Sequence, residues 1–207
     1  MFFKILAILA YPIVCLLYPT KIIGKENMPK GKAIVLCNHY SMADVVVIAD
    51  RVFTKGLHIL AKEELFKNRI VAWFLKKCGG IPINREGMDI KALKEVIGLL
   101  QKDKKVVIFP EGTRNKSGSQ TMLPLKHGSA MFAIKTKSPI VPMLFYRKPR
   151  LFRKNYLIIG KPYELEEFYG YRGSDLNEKS TEVIKKNFDD LRTLLNEIVE
   201  VNKGKIK

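Results

Sequence analysis

The sequence predicts an α/β fold: a single domain whose largely parallel central sheet is flanked by helices, with an apolar amino-terminal helix added. Three observations point there. Short apolar runs of strand length alternate with stretches of helical length and period. The runs are apolar throughout, as expected of strands covered on both faces. At 207 residues and 47% hydrophobic, the chain has material for one sizeable core, and neither an internal repeat nor a second domain is visible.

Ile5 to Tyr18 (ILAILAYPIVCLLY) has no polar stripe, so it suits lipid or a buried groove better than a soluble surface. As a helix it would run about 21 Å, short of the ~30 Å hydrocarbon core, and Pro12 interrupts it. A monotopic anchor over residues 1–20 is therefore expected, with Lys4, Lys21, Lys25, Lys30 and Lys32 near lipid headgroups. A cleaved signal peptide is the rival, but no small-x-small site follows the apolar run. The lysines downstream place the domain of residues 21–207 on the cytoplasmic face of the membrane.

Within that domain Ala33–Cys37, Leu57–Ala61, Gly80–Asn84, Val106–Pro110, Ile140–Tyr146 and Tyr156–Gly160 read as strands. Helices are expected over Met42–Phe53, Asn68–Lys77, Asp89–Lys102 and Leu125–Thr136. Pro162 to Ser174, rich in Tyr and Gly, reads as a surface connection. From about residue 176 an amphipathic carboxyl-terminal helix is predicted, because Ile184, Phe188, Leu191, Leu195 and Ile198 recur at spacings of four and three.

A formal charge of +17 calls for a polyanionic partner, such as an anionic membrane surface or phosphorylated substrates. Nucleic acid is not expected, since no zinc-finger spacing or RNP-like strand is present. Cys15, Cys37 and Cys78 are unevenly placed in or beside apolar stretches, which argues against a disulfide framework and for a reducing compartment.

Four clusters carry the chemistry. His39 and Asp44 lie at the end of the first strand and the start of the next helix, suited to a general base and its orienter; a capping turn with a satisfied histidine is the plainer alternative. Gly79 to Arg85 (GGIPINR) is a glycine turn and strand ending in Arg85, whose planar fork suits a phosphate. Phe109 to Arg114 (FPEGTR) presents Glu111, Gly112, Thr113 and Arg114 from a turn, where Arg114 suits either a phosphate or an internal pair with Glu111. Lys126 and His127 stand at a helix start, where anions bind; Ile140-Val-Pro-Met143 follows. No metal site is expected, because His39, Asp44, His58 and His127 share no recognisable ligand spacing. Ser41 lacks the glycines of a nucleophile elbow.

In this order and at these intervals, His39-x4-Asp44, Gly80-Ile-Pro-Ile-Asn-Arg85, Phe109-Pro-Glu-Gly-Thr-Arg114 and Ile140-Val-Pro-Met143 resemble the four blocks of the glycerolipid acyltransferase family. The resemblance covers roughly residues 20 to 160 and is nearest to the bacterial 1-acylglycerol-3-phosphate acyltransferases. It implies acyl transfer from acyl-CoA or acyl-carrier protein to the sn-2 hydroxyl of lysophosphatidic acid, forming phosphatidic acid in phospholipid biosynthesis without a cofactor. His39 and Asp44 would be catalytic, and Arg85, Arg114 and Lys126 would bind the acceptor phosphate. Glu111, Gly112 and Thr113 would shape the acceptor site. Glycerol 3-phosphate or another lysophospholipid is the alternative acceptor, and a basic peripheral membrane-binding protein is the alternative that is not an enzyme.

Overall fold

Ala33 to Cys37 is an unbroken apolar pentapeptide with every residue buried, and it forms the central strand of the sheet. The computed structural model describes residues 2–52, 58–84 and 89–204. Its strands are β1 (Thr20–Ile23), β2 (Ala33–Cys37), β3 (His58–Lys62), β4 (Gly80–Ile83), β5 (Lys105–Ile108), β6 (Ile140–Phe145) and β7 (Asn155–Ile159). They form a 7-stranded sheet in the order β1-β7-β6-β2-β5-β3-β4, parallel except between β6 and β7. The helices are α1 (Phe2–Leu17), α2 (Met42–Val47), α3 (Arg69–Lys77), α4 (Ile90–Gln101), α5 (Gly128–Thr136) and α6 (Leu176–Gly204).

Strand order fixes the layers. The steps β2 to β3 and β3 to β4 advance across the sheet in one direction, so right-handed crossovers place α2 and α3 on one face. Steps β4 to β5 and β5 to β6 return, which places α4 and α5 on the other. The buried side chains agree. Val35, Cys37, Val107 and Val141 pack with Val47 at the end of α2 and with Ile48 just after it. Their strand neighbours Ile34, Leu36, Val106 and Ile140 pack with Val96 of α4, Phe132 of α5 and Phe188 of α6. Alternate residues of each strand thus feed opposite cores.

Four features depart from the sequence expectations. Strand β1 was not foreseen: Thr20-Lys-Ile-Ile follows directly on the apolar leader, and only its pairing with the distant β7 makes it a strand. Helix α2 continues as a π-helical turn over Ile48–Val52, from which Arg51 donates to the Thr20 carbonyl and covers the Tyr11 ring; Phe53 lies outside the described residues. Helix α5 begins at Gly128 rather than Leu125, because the Leu123 and Lys126 amides bond to Glu111 and the Pro110 carbonyl. The connection from Pro162 is not all surface, since Leu165 and Phe168 are buried in the α6-side core.

Among the described residues no helix is long and apolar enough to cross a membrane. Helix α1 buries Val14 and leaves Tyr11, Ile13 and Leu16 exposed.

Candidate active site

The chain leaves β2 through Asn38, whose buried amide donates to the Phe145 carbonyl and accepts from the Phe145 amide, standing in for one more rung of the sheet. Arg192 of α6 donates to the same carbonyl and to that of Tyr146, clamping the carboxyl end of β6. This brace sets the turn that follows. Ser41 is extended and caps α2, accepting from the Ala43 amide, while Asp44 reaches back to the Ser41 amide as the other half of a capping box.

Asp44 is fully buried, and the same Oδ2 that accepts from the Tyr40 and Ser41 amides lies 2.9 Å from His39 Nδ1. Helix capping and histidine orientation are therefore one arrangement, not two competing ones. A carboxylate on Nδ1 places the proton there in the neutral ring and leaves Nε2 as the basic nitrogen. The ring is further held by stacking on Phe109, with centroids 3.9 Å apart and planes 14° from parallel.

Glu111 is also buried. Its Oε1 accepts from the His39 amide at 2.8 Å and its Oε2 from the Leu123 amide at 2.9 Å, while the Asn115 amide donates back to the His39 carbonyl at 2.7 Å. Burial raises the Glu111 carboxyl above the usual carboxylate range, against the pull of the two amides. Glu111 thus locks the β5 turn onto the histidine backbone. It does not pair with Arg114, and the internal ion pair left open by the sequence is not formed.

His39 lines a cleft of about 420 Å³ together with Met42, Val45, Leu65, Leu75, Gly112, Thr113 and Arg114. Lys62 and Lys116 also face it, although neither was singled out in the sequence. Lys116 stands two places after Arg114 in the same turn, a local signal; Lys62 arrives only through the pairing of β3 with β5. Gly112 has φ +66°, a conformation favouring glycine, and a side chain there would meet Lys126 Cγ at 3.2 Å. Lys126 lines an adjoining hollow of about 280 Å³ that shares Leu60, Phe109 and Gly112 with the cleft.

Of the predicted site residues, the fold brings His39, Asp44, Glu111, Gly112, Thr113 and Arg114 together and sets Lys126 just across Gly112. Arg85 lies outside the described residues. His127 bonds to Thr181 of α6 at 2.9 Å, and His58 opens β3 at the end of the strand away from the cleft, so the histidines are not gathered around one point. Ser41 is committed to its cap. Burial raises the Cys78 thiol, which makes it a poorer nucleophile.

A buried histidine–carboxylate pair and a cationic cleft at the carboxyl edge of a largely parallel sheet give the chain the outline of a transfer enzyme. A family model described as Acyltransferase matches residues 19–146. A 1-acyl-sn-glycerol-3-phosphate acyltransferase of Bacillus subtilis is 32% identical over 86% of this chain and 90% of its own. One of Saccharomyces cerevisiae is 31% identical over 68% of this chain, which spans only 47% of that longer protein. The crystal structure of the 1-acyl-sn-glycerophosphate acyltransferase PlsC from Thermotoga maritima superposes with a TM-score of 0.65 at 29% identity, covering 92% of this chain and 78% of that one. The chain belongs to the acyltransferase family.

Proposed function

We propose that this enzyme transfers an acyl group from a thioester of CoA or acyl-carrier protein to the sn-2 hydroxyl of 1-acyl-sn-glycerol 3-phosphate, giving phosphatidic acid. The observation that carries the proposal is the His39–Asp44 pair, 2.9 Å apart, with its ring lining a cleft that also presents Lys62, Arg114 and Lys116. His39 Nε2 takes the hydroxyl proton as the oxygen attacks the thioester carbonyl. The new C–O bond forms, the C–S bond breaks, and the imidazolium returns the proton to the departing thiolate. Asp44 stabilises the imidazolium between these steps. The cations hold the acceptor phosphate, with Arg114 in the cleft, Lys126 beside it and Arg85 by sequence, so that binding remote from the reaction positions the hydroxyl.

The names of the relatives in Bacillus subtilis and Saccharomyces cerevisiae favour lysophosphatidate as acceptor. No protein nucleophile is required, since a thioester is already activated. Residues 1–20 act as a monotopic anchor at the cytoplasmic face, consistent with the outward Ile13 and Leu16 of α1 and the length limit on spanning, and residues 21–207 form the acyltransferase domain. Anionic lipid, attracted by the net charge of +17, is the surface partner.

Purified protein supplied with a matrix of labelled acyl donors and phosphorylated acceptors tests this directly. Phosphatidic acid from lysophosphatidate is the expected product. Acylation of glycerol 3-phosphate with lysophosphatidate left untouched would overturn the choice of acceptor.

A further inference from the structure

Helix α3 carries its apolar side chains on the wrong side for a soluble protein. Ala72 and Leu75 turn inward, whereas Ile70 is 78% exposed, Trp73 55% and Phe74 43%. These three recur at spacings of three and four, which puts them on one stripe together with Lys77. The helix is strongly amphipathic, yet none of its residues is buried.

Charge identifies what the stripe meets. From Lys67 through Arg85 the chain contains no acidic residue, while Lys67, Arg69, Lys76 and Lys77 surround the apolar stripe. A tryptophan and bulky apolar groups rimmed by cations match the interface of an anionic bilayer: ring and methyl groups below the headgroups, ammonium and guanidinium groups among the phosphates. Nine residues span about 13.5 Å, too short to cross, so the helix would lie in the membrane plane. Its position gives the contact a purpose. Helix α3 shares its side of the sheet with α1 and α2, whose Ile13, Leu16, Met42 and Val46 are likewise exposed, and Leu65 and Leu75 line the cleft that holds His39.

We propose that α3 is a lipid-docking helix, in which Ile70, Trp73 and Phe74 enter one leaflet of an anionic membrane and the acceptor passes from that leaflet into the cleft along Leu65 and Leu75. The passage of acceptor rests on the lysophosphatidate reading above; the docking does not.

Trp73 is the sole tryptophan of the chain, so its emission reports on this helix alone. With full-length protein, vesicles of phosphatidylcholine and phosphatidylglycerol should shift that emission to the blue, and lipids brominated in their acyl chains should quench it. The response should weaken severalfold with phosphatidylcholine alone or in high salt. Replacing Ile70 and Phe74 together (Ile70→Glu, Phe74→Glu) retains the reporter and should weaken vesicle partition about tenfold or more. Acylation of monomeric lysophosphatidate without vesicles should be unchanged. Protein that sediments with vesicles while Trp73 emission stays constant would overturn the proposal, because α1 alone would then hold it; so would a double variant that partitions like the parent, or a chain that ignores both vesicle types. A parent that docks but leaves monomeric lysophosphatidate unacylated would instead refute the acceptor and leave the docking helix standing.

Discussion

Helices α4, α5 and α6 turn most of their large apolar side chains toward the sheet, whereas α3 turns Ile70, Trp73 and Phe74 away from it. On the first side Leu93, Val96, Phe132, Phe188, Leu191 and Leu195 are all buried, and α6 alone runs from Leu176 to Gly204 to close the layer. On the second side α2 is only six residues long before its π-helical turn, and α1 rests on that turn, with Arg51 lying over the Tyr11 ring. One layer is built as a core, where each buried aromatic or aliphatic side chain contributes about 1.5–3 kcal/mol. The other closes over a smaller core around Val47 and Ile48 and is open at the cleft, where the exposed Met42 and Leu65 stand with His39.

If the two layers divide chemistry from stability in this way, substitutions should separate the two properties. The largest expected effect is on the open side. His39→Ala should lower kcat by about 10²- to 10⁴-fold while shifting the urea midpoint little, since Asp44 still accepts from the Tyr40 and Ser41 amides. Turnover within about tenfold of the parent would remove His39 from the role of base. On the closed side, Phe188→Ala should cost about 3–5 kcal/mol of stability through lost burial and a cavity, with kcat per folded molecule unchanged. A kcat that fell with it would mean that α6 reaches the chemistry, and Arg192, which clamps Phe145 beside Asn38, would be the route.

The same contrast explains what the sequence made legible. His39 and Asp44 could be recognised because five residues and a helix start suffice to join them. The strands of the center were visible because they are apolar on both sides. Glu111 was visible as part of a motif, but its function as a tether between the His39 and Leu123 amides depends on two chain segments meeting, which spacing does not encode. Strand β1 was missed for the same reason, as was Lys62. The sequence predicts a helix over Asn68–Lys77, and by default the apolar stripe of such a helix faces a core. Only the fold shows that it faces outward.

Asp50 offers a finer test of the open layer. It sits in the π-helical turn at 4% exposure, and among the described residues neither carboxylate oxygen has a hydrogen-bond partner. Burial raises its carboxyl above the ordinary carboxylate value, with the Arg51 charge opposing. The folded chain therefore keeps this proton at pH values where the unfolded chain has released it. Its contribution to stability is complete below the ordinary value of about 3.9 and is lost as pH rises through the higher folded value. Asp50→Asn is neutral throughout and should escape that loss. It should exceed the parent by about 1 kcal/mol at neutral pH, and the two chains should converge in acid. Urea midpoints for both, from about pH 4 to about pH 8, would show the gap widening with pH. A gap that stayed constant would mean that the Asp50 charge is compensated in the folded state, and the open layer would then carry no electrostatic cost at this turn.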